Sequence, residues 1–131
     1  MTENDIFRLK ELLVTPKNIA IIPHRNPDGD AMGSTLALYH FLKKLNQNPV
    51  VIAPNDFPDF LAWLPGASEV LIYEYKREKI TEILKEQELI FTLDFNALHR
   101  TGEMEHVLKT LQVPFVMIDH HELPDTYATV Q

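Results

Sequence analysis

Three side chains that bind metal ions well occur close together in the first quarter of the chain. His24, Asp28 and Asp30 follow an apolar run at Ile19–Ile22, with spacings of four and two residues between them. The run fits a buried strand, and the prolines and the glycine behind it force a tight loop. Because Gly29 lets the backbone turn between the two carboxylates, both can face one point. Imidazole and carboxylate ligands in one loop indicate a divalent cation site.

A helix follows this loop directly, and we predict it from about Ala31 to Asn46. The N–H groups of its first turn suit a phosphate oxygen, with Gly33 keeping the approach open and Ser34 adding a hydroxyl. The stretch has a structural alternative, because Asn-Pro-Asp-Gly is a good turn sequence and Asp30 is a candidate cap for the helix. Taken alone, the loop leaves metal-assisted phosphate chemistry and a plain capped turn both open.

A second polar cluster follows the apolar run Leu89–Leu93. Asp94 stands at the end of this predicted strand, and a carboxylate leaving a buried strand needs a partner such as a metal pair. Arg100 lies near the start of a predicted helix, where a guanidinium gains nothing from the helix dipole. A phosphate contact by Arg100 and a plain surface position are therefore both open.

A third polar cluster, Asp119-His120-His121, follows the apolar run Phe115–Ile118. Consecutive side chains after a strand point in different directions, so one imidazole can bind a metal while the next faces a substrate. Asp119 can accept a hydrogen bond from an imidazole and so select its tautomer. The cluster strengthens the metal interpretation of the first loop.

Apolar runs that predict strands alternate with amphipathic stretches that predict helices. The strands are expected at 19–22, 50–53, 70–73, 89–93 and 115–118. The helices are expected from a cap at Thr2 up to Thr15-Pro16, and at 31–46, 57–64, 76–88 and 100–111. This alternation predicts an α/β fold with three layers, a parallel sheet covered by helices on both faces. The polar clusters follow the first, fourth and fifth strands, and open parallel sheets bind ligands beyond their strand ends, where the strand order reverses. We therefore predict a doubly wound sheet of order 3-2-1-4-5.

The helical period also predicts which side chains face the core. The inward face of the first helix is expected to be Ile6, Leu9, Leu12 and Leu13, and that of the second Met32, Leu36, Tyr39, Leu42 and Leu45. Phe60 and Trp63 are expected in the core rather than as a platform for stacking bases. His40, His99 and His106 are expected at the surface.

Length and composition fit one globular domain, since 45% of the 131 residues are hydrophobic and 24% are charged. The absence of cysteine excludes disulfides, thiolate zinc sites and a cysteine nucleophile. No signal-peptide pattern and no apolar run of about 20 residues is present, so we expect a cytoplasmic protein with no membrane partner. A net charge of −7 argues against binding long duplex nucleic acid but allows short phosphorylated ligands.

The three clusters together resemble the first three signature motifs of the DHH phosphoesterase superfamily. The first runs His-Arg-Asn-Pro-Asp-Gly-Asp-Ala-Met-Gly-Ser over residues 24–34, the second is Asp94 with Asn96 and Arg100, and the third is residues 119–121. The Asn-Pro-Asp-Gly-Asp-Ala form is most similar to the nanoRNase branch, whose members act as oligoribonucleases and as 3′-phosphoadenosine-5′-phosphate phosphatases. The resemblance spans nearly the whole chain in the right order.

The resemblance implies a role for each matching residue. His24 and Asp28 would bind one Mn²⁺, Asp30 and His120 the other, and Asp94 would bridge the two. His121 would contact the scissile phosphate, so His121 and Asp94 are the expected catalytic residues. The expected substrate contacts are Asn26, Ser34, Asn96, Arg100 and His121. Asp119 would not contact the metal but would accept a hydrogen bond from a metal-binding imidazole and so orient it.

Mn²⁺ is the expected cofactor, with Mg²⁺ or Co²⁺ as substitutes. Independently of the family, mixed imidazole and carboxylate ligands favour Mn²⁺ over Mg²⁺. Two such ions can polarise a phosphoryl group and activate a water for in-line attack, so no covalent enzyme nucleophile is required. The resemblance thus implies a hydrolase for short oligoribonucleotides, for the 3′-phosphate of adenosine bisphosphate, or for both.

Members of the family are usually much longer than this chain. They carry a fourth motif with a further metal-binding aspartate and a C-terminal substrate-binding domain, DHHA1. We therefore expect residues 1–131 to be a truncated catalytic domain that hydrolyses poorly by itself. A hydrolase of cyclic dinucleotide, pyrophosphate or polyphosphate and a non-catalytic metal- or phosphate-binding module remain as alternatives, and a homodimer is left open.

Overall fold

Five short strands rich in isoleucine, valine and leucine form the centre of the fold. A computed structural model describes residues 3–93 and 98–118, and of residues 99 and 100 only the backbone. The strands are β1 Asn18–Pro23, β2 Asn48–Ala53, β3 Leu71–Ile72, β4 Leu89–Leu93 and β5 Phe115–Ile118. All four pairings are parallel, in the order β3-β2-β1-β4-β5. The predicted α/β fold and strand order are confirmed.

Helices connect the strands as predicted, with different ends. They are α1 Glu3–Leu12, α2 Gly29–Lys44, α3 Arg77–Lys85 and α4 Glu105–Thr110, joined by 3₁₀ turns at Asp59–Leu61, Ala67–Glu69, Tyr73–Tyr75 and Leu98–Met104. The helix expected at 100–111 is divided because Gly102 adopts φ 63° and ψ −129°, a non-helical conformation. No helix in the described part of the chain is long and apolar enough to cross a membrane.

Alternate strand residues pack into two separate cores because successive side chains of a strand point to opposite faces. Ile19 and Ile21 of β1 belong to the core under α1 and α2. Ala20 and Ile22 belong to the core under α3 and α4. Since both faces of the parallel sheet are covered, the layer arrangement matches the prediction.

The predicted inward faces of the first two helices are confirmed except at one position in each. Ile6 is 44% exposed and Leu45 is 43% exposed, so both predictions were wrong. In α1 the packed residues lie toward its C-terminal end and just beyond it, namely Leu9, Leu12 and Leu13. Leu45 lies past the last residue of α2, where the helical face no longer continues.

The expected helix at 57–64 and its buried aromatic residues are also corrected. Only the turn Asp59–Leu61 forms there, Leu61 is buried, and Phe60 and Trp63 are 73% and 74% exposed. Pro58 supplies no N–H donor and restricts the preceding residue to extended backbone, so a helix cannot start at Phe57. Without the helix, nothing turns the two aromatic side chains toward the core.

Candidate metal and phosphate site

The three strands that precede the polar clusters are neighbours in the sheet. β1 lies next to β4, and β4 lies next to β5, all running in one direction. Their carboxyl ends therefore share one edge of the sheet. Five of the predicted site residues lie outside the described residues: Asp94, Asn96, Asp119, His120 and His121. The side chain of Arg100 lies outside them as well.

His24 is the first residue after β1, and its side chain is buried. Its Nδ1 lies 2.7 Å from the backbone oxygen of Arg25. Because a carbonyl oxygen only accepts, Nδ1 carries the proton and donates it. This hydrogen bond selects the neutral tautomer with the lone pair on Nε2, which is a form of histidine that binds metals.

Asp28, rather than Asp30, caps α2. Its backbone is extended, with φ −93° and ψ −174°, and its Oδ1 accepts a hydrogen bond from Ala31 N–H at 2.8 Å. Asp30 therefore lies inside the first turn, where its negative charge suits the positive end of the helix dipole. Both carboxylates are exposed, and the bond to Ala31 leaves Asp28 further lone pairs for a cation.

The described residues alone do not form a complete metal site. Among them, no three His, Asp or Glu side chains come together in a way that could hold a metal ion. His24 and Asp28 in the loop and Asp30 in the first turn of α2 are an imidazole and two exposed carboxylates, and these donor types suit a divalent cation. The two further expected ligands, Asp94 and His120, are outside the described part, so the ligand assignment stays a prediction.

The first turns of α2 are open on the side where a phosphate was expected. A Cβ added to Gly33 would meet nothing within 4 Å, and Ser34 is exposed. Sequence reasoning did not extend to the anchors of this helix. Tyr39 donates to Glu69 Oε2 at 2.5 Å, and His40, although exposed as predicted, donates from Nε2 to the Pro65 oxygen at 2.9 Å.

Asn26, a predicted substrate contact, is held by a residue that sequence analysis missed. Its backbone has φ 57°, its N–H donates to Asn55 Oδ1 at 2.6 Å, and its Oδ1 accepts from Asn55 Nδ2 at 2.6 Å. Asn55 follows β2, so its signal was a polar side chain at a further strand end. The pair ties the loop after β1 to the loop after β2.

A cleft of about 270 Å³ lies beside this pair. Its lining includes Arg25, Asn26, Asn55, Tyr73, Arg77 and Thr101. Apart from Asn26, none of these was predicted as a site residue. Arg77 forms an ion pair with Glu103, which also lines the cleft.

Comparison with known proteins places the chain in a family. Residues 18–131 match the family described as the DHH family, N-terminal domain. The chain belongs to the DHH family. The resemblance predicted from the three motifs is therefore confirmed, and the matched range contains the residues of all three.

Two solved structures share the fold of this DHH chain, and one curated relative has the name of the expected branch. It is 47% identical over 51 residues to a bifunctional oligoribonuclease and PAP phosphatase, NrnA, of Thermus thermophilus, covering 39% of this chain and 15% of that protein. The crystal structure of an exopolyphosphatase-related protein from Bacteroides fragilis matches with a TM-score of 0.95 and 38% identity, over 98% of this chain and 38% of that one. RecJ in complex with Mn²⁺ from Thermus thermophilus shares the fold, with a TM-score of 0.52 and 21% identity over 95% of this chain and 15% of RecJ. The DHH chain thus spans well under half the length of each of these relatives.

Proposed function

We propose that this chain carries most of the metal site of a Mn²⁺-dependent phosphoesterase that acts in the cytoplasm. Its proposed substrates are short oligoribonucleotides, the 3′-phosphate of adenosine bisphosphate, or both. The strand order is the main support for the proposal: β1, β4 and β5 are neighbours, so the segments that carry the three polar clusters leave the sheet at one edge. The relative named as an oligoribonuclease and PAP phosphatase supports the same substrate class.

In this proposal His24 and Asp28 would hold one ion, Asp30 and His120 would hold the other, and Asp94 would be a ligand of both. The ions would neutralise charge at the phosphoryl group. They would also lower the pKa of a bound water, so that hydroxide is available to attack the phosphorus. The bond from His24 to the Arg25 oxygen keeps the imidazole in its ligand tautomer.

The chain's other residues would bind and orient the substrate. The first turn of α2 would direct N–H groups and its positive dipole end toward a phosphate oxygen. His121 would contact the scissile phosphate, and Asp119 would orient a neighbouring ligand. Asn96 and Arg100 remain proposed substrate contacts.

A second substrate class has a specific observation in its favour. The solved structure that matches over 98% of this chain is described as exopolyphosphatase-related. Polyphosphate presents the same phosphoryl chemistry without a nucleoside, so the same metal site could serve both. We therefore retain polyphosphate as the alternative substrate.

Calorimetric titration of Mn²⁺ into this chain tests the site. We expect two ions in the wild type and a reduced stoichiometry or affinity in Asp94→Asn, which keeps the shape but removes the charge. Glu82→Gln is the matched control, because Glu82 is an exposed acid on α3. Equal Mn²⁺ binding by wild type and Asp94→Asn would contradict the bridging role.

A substrate panel with Mn²⁺ then separates the candidate activities. A short oligoribonucleotide, adenosine 3′,5′-bisphosphate, polyphosphate and a cyclic dinucleotide are compared at equal phosphate concentration. Phosphate or mononucleotide release from the first two substrates supports the proposal. Release from polyphosphate alone would contradict it and favour the alternative.

A further inference from the structure

The cleft beside Asn26 lies at the carboxyl edge of the sheet, on the side covered by α3. Its walls are formed by the segments that follow β1, β2, β3 and β4 in the sequence. The first of these segments is the loop that carries His24 and Asp28, so the cleft adjoins that loop. Its volume of about 270 Å³ is just below the usual range for ligand pockets. That volume suits a phosphate with part of a nucleoside better than a dinucleotide.

Arg25 is placed in this cleft by its neighbours on the fold. Its Cδ lies 3.0 Å from the position that a Cβ on Gly102 would occupy, so the missing side chain of Gly102 makes room for it. The next residue, Asn26, is locked by its two hydrogen bonds to Asn55. The backbone on one side and Gly102 on the other therefore restrict where the arginine can lie.

Among the residues that the structure describes, no carboxylate forms an ion pair with the guanidinium of Arg25. The ion pairs formed within the described part of the chain involve Arg77, Lys85 and Lys109. Arg25 is exposed, and on a protein with net charge −7 its positive charge in a concave site is available to an anionic ligand. Its fork of donors matches a phosphate with two parallel hydrogen bonds.

Arg77 offers a second positive charge on the cleft wall. It pairs with Glu103, and the two side chains are 51% and 66% exposed. Pairs this exposed contribute little, because water and salt screen them. A phosphate dianion could therefore compete with Glu103 for Arg77 while it binds Arg25.

We propose that this cleft binds a phosphate monoester of a nucleotide through Arg25 and Arg77, as a subsite beside the proposed metal ligands and not formed by them. The inference rests on the proposed function for its link to the reaction, since the bound group would be a substrate phosphate other than the one hydrolysed. Phosphate binding in the cleft itself requires no metal.

Binding of adenosine 5′-monophosphate to the metal-free chain, in excess chelator and at low salt, tests the proposal. We expect Arg25→Gln to weaken this binding about tenfold, because a charge-assisted pair with phosphate is lost. Adenosine should bind wild type and variant alike, and more weakly than the monophosphate. Arg8→Gln, an exposed arginine on α1, is the matched control and should leave binding unchanged.

Glu103→Gln provides a test with the opposite sign. Removing this carboxylate frees Arg77 and takes a negative charge from the cleft, so we expect adenosine 5′-monophosphate to bind a few times more tightly. A merely structural role for the Arg77–Glu103 pair would leave affinity unchanged or weaken it, and either result would overturn the part assigned to Arg77.

Three other results would overturn the proposal. These are equal binding by Arg25→Gln and wild type, an equal loss in Arg8→Gln, and inorganic phosphate binding as tightly as the nucleotide. Thermal unfolding of each variant checks that the fold is intact. The Mn²⁺ titration fails or succeeds independently of these metal-free measurements, so failure of the phosphoesterase proposal is distinguishable from failure of the cleft proposal.

Discussion

One oxygen of the Asp28 carboxylate accepts the Ala31 N–H at 2.8 Å, and the same side chain is a proposed metal ligand. The observed cap and the proposed ligand would use different lone pairs of one side chain, so the two interpretations of the Asn-Pro-Asp-Gly stretch need not exclude each other. The two roles differ in whether they need the negative charge of the side chain. A cap needs only a side-chain oxygen, whereas a hard cation prefers a carboxylate.

Two substitutions at Asp28 test both roles. Asp28→Asn keeps the capping oxygen, so we expect metal-free stability within a few tenths of a kcal/mol of wild type and weaker Mn²⁺ binding. Asp28→Ala also loses the cap, so we expect weaker Mn²⁺ binding together with a loss of about 1 kcal/mol in the free energy of unfolding. Urea unfolding in chelator and Mn²⁺ calorimetry measure the two effects. If the Asn variant bound Mn²⁺ like wild type, Asp28 would be a cap only.

Gly102 is a position where the backbone strongly restricts substitution. Its φ of 63° with ψ −129° is a region that L side chains rarely adopt, and a Cβ would lie 3.0 Å from Arg25 Cδ. We expect Gly102→Ala to destabilise the fold by about 1–3 kcal/mol.

The control for Gly102 is the helical Gly33, whose added Cβ would meet nothing within 4 Å. Gly33→Ala should stabilise the protein by about 0.5–1 kcal/mol, because alanine favours the helix. Denaturant midpoints at constant slope report both changes. Equal effects of the two substitutions would contradict the account of Gly102.

At the scale of elements, α2 is held against the turn Ala67–Glu69 by a hydrogen bond as well as by its apolar face. The Tyr39 hydroxyl donates to Glu69 Oε2, and this bond together with burial raises the pKa of Tyr39 above its ordinary value of 10.0. Because the folded state holds the proton more tightly, the stability contributed by this group is fully present below pH 10. It decreases as the pH rises above 10, since the unfolded tyrosine ionises first.

Tyr39→Phe tests this anchor. We expect a loss of about 1 kcal/mol at neutral pH and a shallower fall in stability above pH 10, measured by urea unfolding across that range. Tyr75→Phe is the control, because Tyr75 also has a raised pKa, from its hydrogen bond to Asp56, but is 64% exposed. Water screens that bond, so little change is expected. The same alkaline profile in Tyr39→Phe and wild type would contradict the assignment.

At the scale of the molecule, the two cores share the strands of one sheet. β1 contributes Ile19 and Ile21 to one core and Ala20 and Ile22 to the other. Loss of either core therefore exposes a face of the same hydrogen-bonded strands. The fold also matches a longer relative with a TM-score of 0.95 although this chain covers only 38% of it.

We therefore expect the 131-residue chain to unfold in one cooperative transition. Far-ultraviolet circular dichroism, which reports helices, and near-ultraviolet circular dichroism, which reports packed tyrosines such as Tyr39, should give coincident thermal curves. Two separated transitions would show that one helical layer unfolds without the other.

The sequence by itself determined the strands, their order and the edge where chemistry is expected. Apolar runs such as Ile19–Ile22 can be recognised as strands from their own residues alone, because a strand buried on both faces is apolar at every position. The order 3-2-1-4-5 followed from requiring three polar clusters to meet at one switch point. The residue types and spacing in the loop after β1 also gave His24, Asp28 and Asp30 as candidate metal ligands, which stays a prediction.

Only the tertiary structure decided which side chains meet across the strand ends. Arg25 beside Gly102, and Asn26 bound to Asn55, join residues 77 and 29 positions apart, and no local period encodes such pairs. The burial of Trp63 was also decided only by the tertiary structure. Its aromatic side chain suggested a core position, but the short turn that forms after Pro58 leaves it at the surface. Local patterns determine elements because they depend on neighbouring residues, whereas a cleft depends on how separate loops come to lie together.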